Sequence, residues 1–148
     1  MKKSLFFLAC LLFLTGPSVF AQQISYSEPD REDARAMNFE VLGKIEGNIL
    51  VYKSYRDVGF MCAFDNGMKM IEKNKLDFLP ERIVSADFQI YPGFAYMFYQ
   101  YQRRNVFYCM AVKFDSKGKR MGEPIQIDTT SNMTYASNRN VYTILFSE

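Results

Sequence analysis

Between Phe39 and Phe146 no segment repeats its apolar residues with the period of a helix; short apolar or alternating runs are punctuated by turn residues instead. That pattern constrains the fold more than any other feature, because half-buried strands alternate every two residues and end at Gly, Pro, Asn or Asp. The runs are Phe39–Lys44, Ile49–Tyr55, Val58–Phe64 and Met68–Lys73, then Ile83–Ile90, Phe94–Tyr101, Val106–Phe114 and Arg120–Asp128. Met133–Ser137 and Asn140–Phe146 follow. Turns are expected at Glu46-Gly47-Asn48, Arg56-Asp57, Asp65-Asn66-Gly67, Tyr91-Pro92-Gly93, Gln102–Asn105 and Asp115–Gly118. Asn-Gly tolerates positive φ and marks a hairpin. Leu76–Pro80 reads as a connector, since proline cannot donate to a ladder. The expected class is all-β and antiparallel.

The runs recur. Gly47-Asn48-Ile49-Leu50-Val51-Tyr52 resembles Gly93-Phe94-Ala95-Tyr96-Met97-Phe98 at an offset of 46, and Asn140–Leu145 follows at an offset of 47. Ala63-Phe64-Asp65-Asn66-Gly67 matches Lys113-Phe114-Asp115 and the nearby Gly118 at an offset near 50. A period of roughly 40–50 residues carrying four short strands points to propeller-like blades, of which about two and a half fit this chain. The expected repeats are 39–78, 83–129 and the start of a third over 131–148, within a β-rich domain at 38–148. A small β-barrel or sandwich is the alternative. The run Tyr91–Asp115 is apolar on both strand faces, as expected of strands buried on both sides. Closed propellers take about four to eight blades, so an incomplete propeller is the expectation.

The repeat unit, with Phe114-Asp115-Ser116-Lys117-Gly118-Lys119 and the shorter Phe64-Asp65-Asn66-Gly67-Met68-Lys69 between its third and fourth strands, resembles exported bacterial β-propellers of the TolB-like type. The likeness covers about residues 39–148. The Ser-Pro-Asp-Gly turn of many such blades is missing, and there is no Trp. The resemblance implies a binding or scaffolding role in the bacterial envelope.

The N-terminus opens Met1-Lys2-Lys3, continues with an apolar run from Leu5 to Leu14, and reaches Val19 and Ala21 at the −3 and −1 positions. This is the layout of a secretory signal peptide at 1–21, cut between Ala21 and Gln22. The run is shorter than the ~20 residues of a membrane-spanning helix, so no transmembrane segment is expected after its removal. The chain has 18 Lys+Arg and 16 Asp+Glu; losing Lys2 and Lys3 brings them to parity. A neutral chain has no electrostatic footprint for nucleic acid. Export to the periplasm or the exterior is expected, followed by a flexible polar leader at 22–37. Export permits a disulfide between Cys62 and Cys109. Both lie in expected strands, where a lone Cys also serves as a small buried apolar residue.

There is no histidine, which excludes His-based triads and His-bearing zinc sites within this chain. No nucleophile elbow, phosphate-binding Gly-rich loop or calcium loop is present, so neither catalysis nor a cofactor or metal is expected. Asp57, Asp65 and Asp115 sit at turns, where Asp bonds its own backbone. The candidate binding surface is Tyr101, Arg103 and Arg104 at a hairpin tip. It stacks on a sugar, grips a carboxylate, or forms a solvated turn. The partner is an unspecified protein or small molecule. The competing functions are a small barrel holding an apolar ligand and the non-catalytic N-terminal part of a longer secreted hydrolase.

Overall fold

In a computed structural model of the chain, the described residues are 24–27, 37–131 and 141–145. The expected signal peptide, most of the leader and the strand at 133–137 lie outside them. The described residues form eight strands and no helix: β1 Met37–Ile45, β2 Asn48–Tyr55, β3 Val58–Phe64, β4 Met70–Lys75, β5 Ser85–Tyr91, β6 Phe94–Arg103, β7 Val106–Phe114 and β8 Ile125–Ser131. They make two antiparallel sheets ordered β1-β2-β3-β4 and β5-β6-β7-β8. Neither sheet closes on itself or on the other, so the barrel alternative is set aside.

Two-residue turns join most neighbours. Glu46 and Gly47 (φ 48° and 89°) close β1–β2, and Arg56 and Asp57 (φ 47° and 64°) close β2–β3. Both pairs have the left-handed backbone that matches strand twist. The β3–β4 turn is built differently from the expected Asn-Gly hairpin. Asp65 Oδ1 accepts from Gly67 N (2.8 Å) and Lys69 N (3.0 Å), and the left-handed residue is Met68 (φ 62°). The carboxylate organises a longer loop, which delays β4 to Met70. The β7–β8 turn repeats this: Asp115 Oδ1 accepts from Lys117 N (2.9 Å) and Lys119 N (2.8 Å), with Gly118 left-handed (φ 72°). Met68 therefore occupies the position that glycine holds fifty residues later. A non-glycine residue there carries about 1 to 2 kcal/mol of strain. After glycine's entropy cost, Met68→Gly should raise stability by about 0.5 to 1 kcal/mol in denaturant unfolding.

β8 also departs from expectation. Arg120 makes only an isolated bridge to Phe114, and β8 proper begins at Ile125. Gly122 (φ 116°) and Pro124 break the run between them. Residues 141–145 belong to no strand.

The core lies between the sheets. Leu50 and Tyr52 of β2 and Met61 and Ala63 of β3 meet Ala95, Met97 and Tyr99 of β6 and Val112 and Phe114 of β7. Each large side chain buried here contributes about 1.5–3 kcal/mol. The connector after β4 fills the rim, with the Phe78 ring 5.9 Å from Tyr99 and 6.3 Å from Phe114. β1 and β5 approach closely: at the β1 bulge a side chain on Gly43 would sit 3.3 Å from Ile90.

The sheets stack head to tail. Leu50 and Tyr52 point into the interface, but their counterparts 46 residues on, Tyr96 and Phe98, point away from it. Conversely Ala95 and Met97 point inward, while their counterparts Ile49 and Val51 lie on the outer face of the first sheet. One operation carries the first sheet onto the second without flipping it.

The same parity decides the cysteines. Met61 and Ala63 face inward, so Cys62 faces out of the first sheet beside Val51 and Phe64. Cys109 pairs with Gln100 on the outward face of the second. Both sheets separate the two sulfurs, and no bridge joins Cys62 to Cys109. Each is buried, as small apolar residues are. Desolvation, reinforced by Asp128 and Asp87, pushes the Cys109 thiol above its usual range.

Candidate functional site

β6 extends past the core, and its two-residue period places Tyr99, Tyr101 and Arg103 on the core-side face. Tyr101 lies opposite Tyr108 of β7, and their rings stack 4.9 Å apart at 8°. Tyr99 continues the row, 6.3 Å from Tyr101. The connector crosses this end of the sheet, since a chain leaving the last strand of one sheet must return to the first strand of the next. Between connector and β6 lies an open cleft of about 470 Å³, lined by Phe78, Pro80, Glu81, Arg82, Tyr99, Tyr101, Gln102 and Arg103.

Of the residues singled out from sequence, Tyr101 and Arg103 line this cleft and Arg104 does not. Arg104 sits at the left-handed position of the tip turn (φ 57°), one residue beyond the face that turns inward. Sequence reading missed Glu81 and Arg82. They fall just past Pro80, where a connector was expected, and only the return path explains why they meet β6.

The ion pairs Lys75–Asp77 (2.7 Å) and Arg120–Glu123 (2.8 Å) lie outside the cleft lining. Arg120 rests on the Phe78 ring, 5.4 Å from its centroid. The cleft thus combines two guanidiniums, a carboxylate and tyrosine hydroxyls against an aromatic wall. Such a set can bind a flat or hydroxyl-rich ligand bearing an acidic group. Among the described residues, no three His, Cys, Asp or Glu side chains converge as a metal site requires. No protein-family model matches the sequence, and no curated protein or solved structure matches it either.

At the inner end of the cleft, burial pushes the Tyr99 hydroxyl up to about 12; Tyr101 adds to the shift and Arg120 opposes it. The folded state therefore holds this proton more tightly than the unfolded chain. Stability from Tyr99 is fully present below pH ~10 and is lost as pH rises towards 12. Denaturant unfolding of Tyr99→Phe should decline less steeply than wild type across that window. Tyr52, raised mainly by burial as well, leaves some slope in the variant.

Proposed function

We propose that the chain is an exported, non-catalytic binding or scaffolding protein built on propeller-like blades, with the Tyr101–Arg103 cleft as its ligand side. The observation that carries this reading is the head-to-tail stacking of two four-stranded meanders whose third and fourth strands share one Asp-centred turn. Neighbouring blades of a propeller are related by a rotation that repeats the same face order. A sandwich of two sheets related by a two-fold axis would instead put equivalent faces together. The close approach of the two first strands also suits blades converging on a central axis. Two sheets are fewer than the about four to eight blades of a closed ring; further sheets would come from more chain or more copies.

Export rests on the layout of residues 1–21, and the destination is the periplasm or the exterior. A binding role fits the cleft, whose groups can grip a ligand but supply no histidine for proton transfer.

The test uses the exported protein on a panel of immobilised acidic glycans and peptides. Retention should fall at least tenfold with Arg103→Ala, with melting temperature unchanged, and with Tyr101→Ala, which also lowers stability by removing the ring stacked on Tyr108. Retention indifferent to both substitutions would place binding elsewhere. Mass spectrometry of the exported form should find Gln22 as the first residue, and an intact Met1 would remove the export reading.

A further inference from the structure

Gln100 is buried to 2% exposure, yet it projects from β6 on the face of the second sheet that points away from the core. Its partners come from outside the sheet. Gln100 Nε2 donates to the Tyr142 carbonyl at 2.7 Å. Gln100 Oε1 accepts from the Val141 and Tyr142 amides at 3.1 and 2.9 Å. The Tyr142 hydroxyl shares a further bond of 2.6 Å with Thr130 Oγ1. One side chain thus pairs with two successive N–H groups and one C=O, the pattern by which a protein holds backbone irrespective of sequence.

Two more polar groups stand beside it without partners. Ser85 lies directly opposite Gln100 on β5, and Gln102 is two residues further along β6, so both project on the same face. Ser85 Oγ and Gln102 Nε2 are buried and make no hydrogen bond. Buried polar atoms are nearly always paired, so two orphans beside an occupied clasp, one on the neighbouring strand and one further along β6, point to additional backbone contacts on this face. Beyond the clasp the segment is open: residues 141–145 belong to no strand, and Leu145 is 86% exposed. Phe94, Tyr96 and Phe98 continue the same face as a row of touching rings, with Lys113 over Phe94 at 3.8 Å.

We propose that this face is a binding site for an extended peptide backbone, centred on Gln100, with Val141–Tyr142 as its occupant in cis. Ser85 and Gln102 are contacts that a longer strand reaches. Gln102 borders both this site and the Tyr101–Arg103 cleft; otherwise the two lie on opposite faces of β6.

The test uses the full chain and a fluorescent peptide copying residues 138–148. Tyr142→Pro removes one N–H that Gln100 holds, together with the hydroxyl that Tyr142 shares with Thr130 of β8, and so vacates the clasp. The peptide should bind the Tyr142→Pro chain at least tenfold more tightly than wild type, and adding Gln100→Met should abolish that gain. Equal affinity for all three chains, or no binding to Tyr142→Pro, overturns the proposal. Amide exchange gives a readout on the unaltered protein. Val141 and Tyr142 should exchange about 10- to 100-fold more slowly than in the free peptide, as lost hydrogen bonds of ordinary strength imply. Exchange at the free-peptide rate contradicts the clasp.

Discussion

Gly118→Ala is expected to lower the free energy of unfolding by about 2 to 5 kcal/mol, a large effect for one added methyl group. Two costs combine. Gly118 is left-handed at φ 72°, and an alanine there is strained by about 1 to 2 kcal/mol. The new Cβ would also stand 2.7 Å from Met61 Cγ, 3.3 Å from Met61 Cβ and 3.4 Å from the Met61 carbonyl oxygen. These atoms sit at the root of a fully buried side chain in the other sheet and cannot swing aside. Overpacking of this kind costs about 1 to 3 kcal/mol. Hydrogen bonds hold the turn in place: Asn48 Nδ2 to Ser116 O (3.0 Å), Asn74 Nδ2 to Lys117 O (3.1 Å) and Ser116 Oγ to Glu46 Oε2 (2.9 Å). The turn of the second sheet is thereby docked onto the first. Urea unfolding of the variant measures the loss, and a change under 1 kcal/mol would mean that the turn is not seated there.

Phe114→Ala should cost about 3 to 5 kcal/mol, the range for emptying a large buried aromatic site. Phe114 has no exposure and packs in the inter-sheet cluster beside Phe78. Its counterpart Phe64 is buried equally well but lies on the outer face of the first sheet, in the smaller cluster with Val51 and Cys62. Phe64→Ala should therefore cost less than Phe114→Ala. The comparison discriminates, because the two phenylalanines precede matching Asp turns and differ chiefly in which face is packed against another sheet. Equal losses would argue that the interface carries no special weight.

Much of this architecture was legible in the residues. Strand alternation located all eight strands, and Glu46-Gly47, Arg56-Asp57 and Pro92-Gly93 turn where they were expected to turn. The Phe-Asp pairs at 64–65 and 114–115 marked the repeat, because an Asp carboxylate that caps its own loop is a local device visible in sequence. Other features were not local. Asn66-Gly67 drew the expected turn one residue early, since methionine gives no sign of adopting left-handed backbone at Met68. Gly122 and Pro124 fall inside the expected strand Arg120–Asp128; Pro124 signals an edge position, yet the two residues together delay β8 to Ile125. The Tyr101–Tyr108 pair requires knowing the register of β6 against β7, and the meeting of Arg82 with Arg103 requires knowing the connector's path. Gln100 was hidden for the same reason: nothing in its neighbours distinguishes a solvated glutamine from one buried under residues 41 positions further on.

A double-mutant cycle between Met61 and Gly118 tests the docking of the two sheets most directly. Shortening Met61 to alanine removes the Cγ at 2.7 Å and leaves the Cβ at 3.3 Å and the carbonyl oxygen at 3.4 Å, so the second substitution should then cost its backbone strain of about 1 to 2 kcal/mol and only a small remainder from tight contact. A favourable coupling of about 1 to 2 kcal/mol is the predicted result. Additive losses, equal within about 0.5 kcal/mol, would show that these residues do not touch and that the sheets are not stacked in this register.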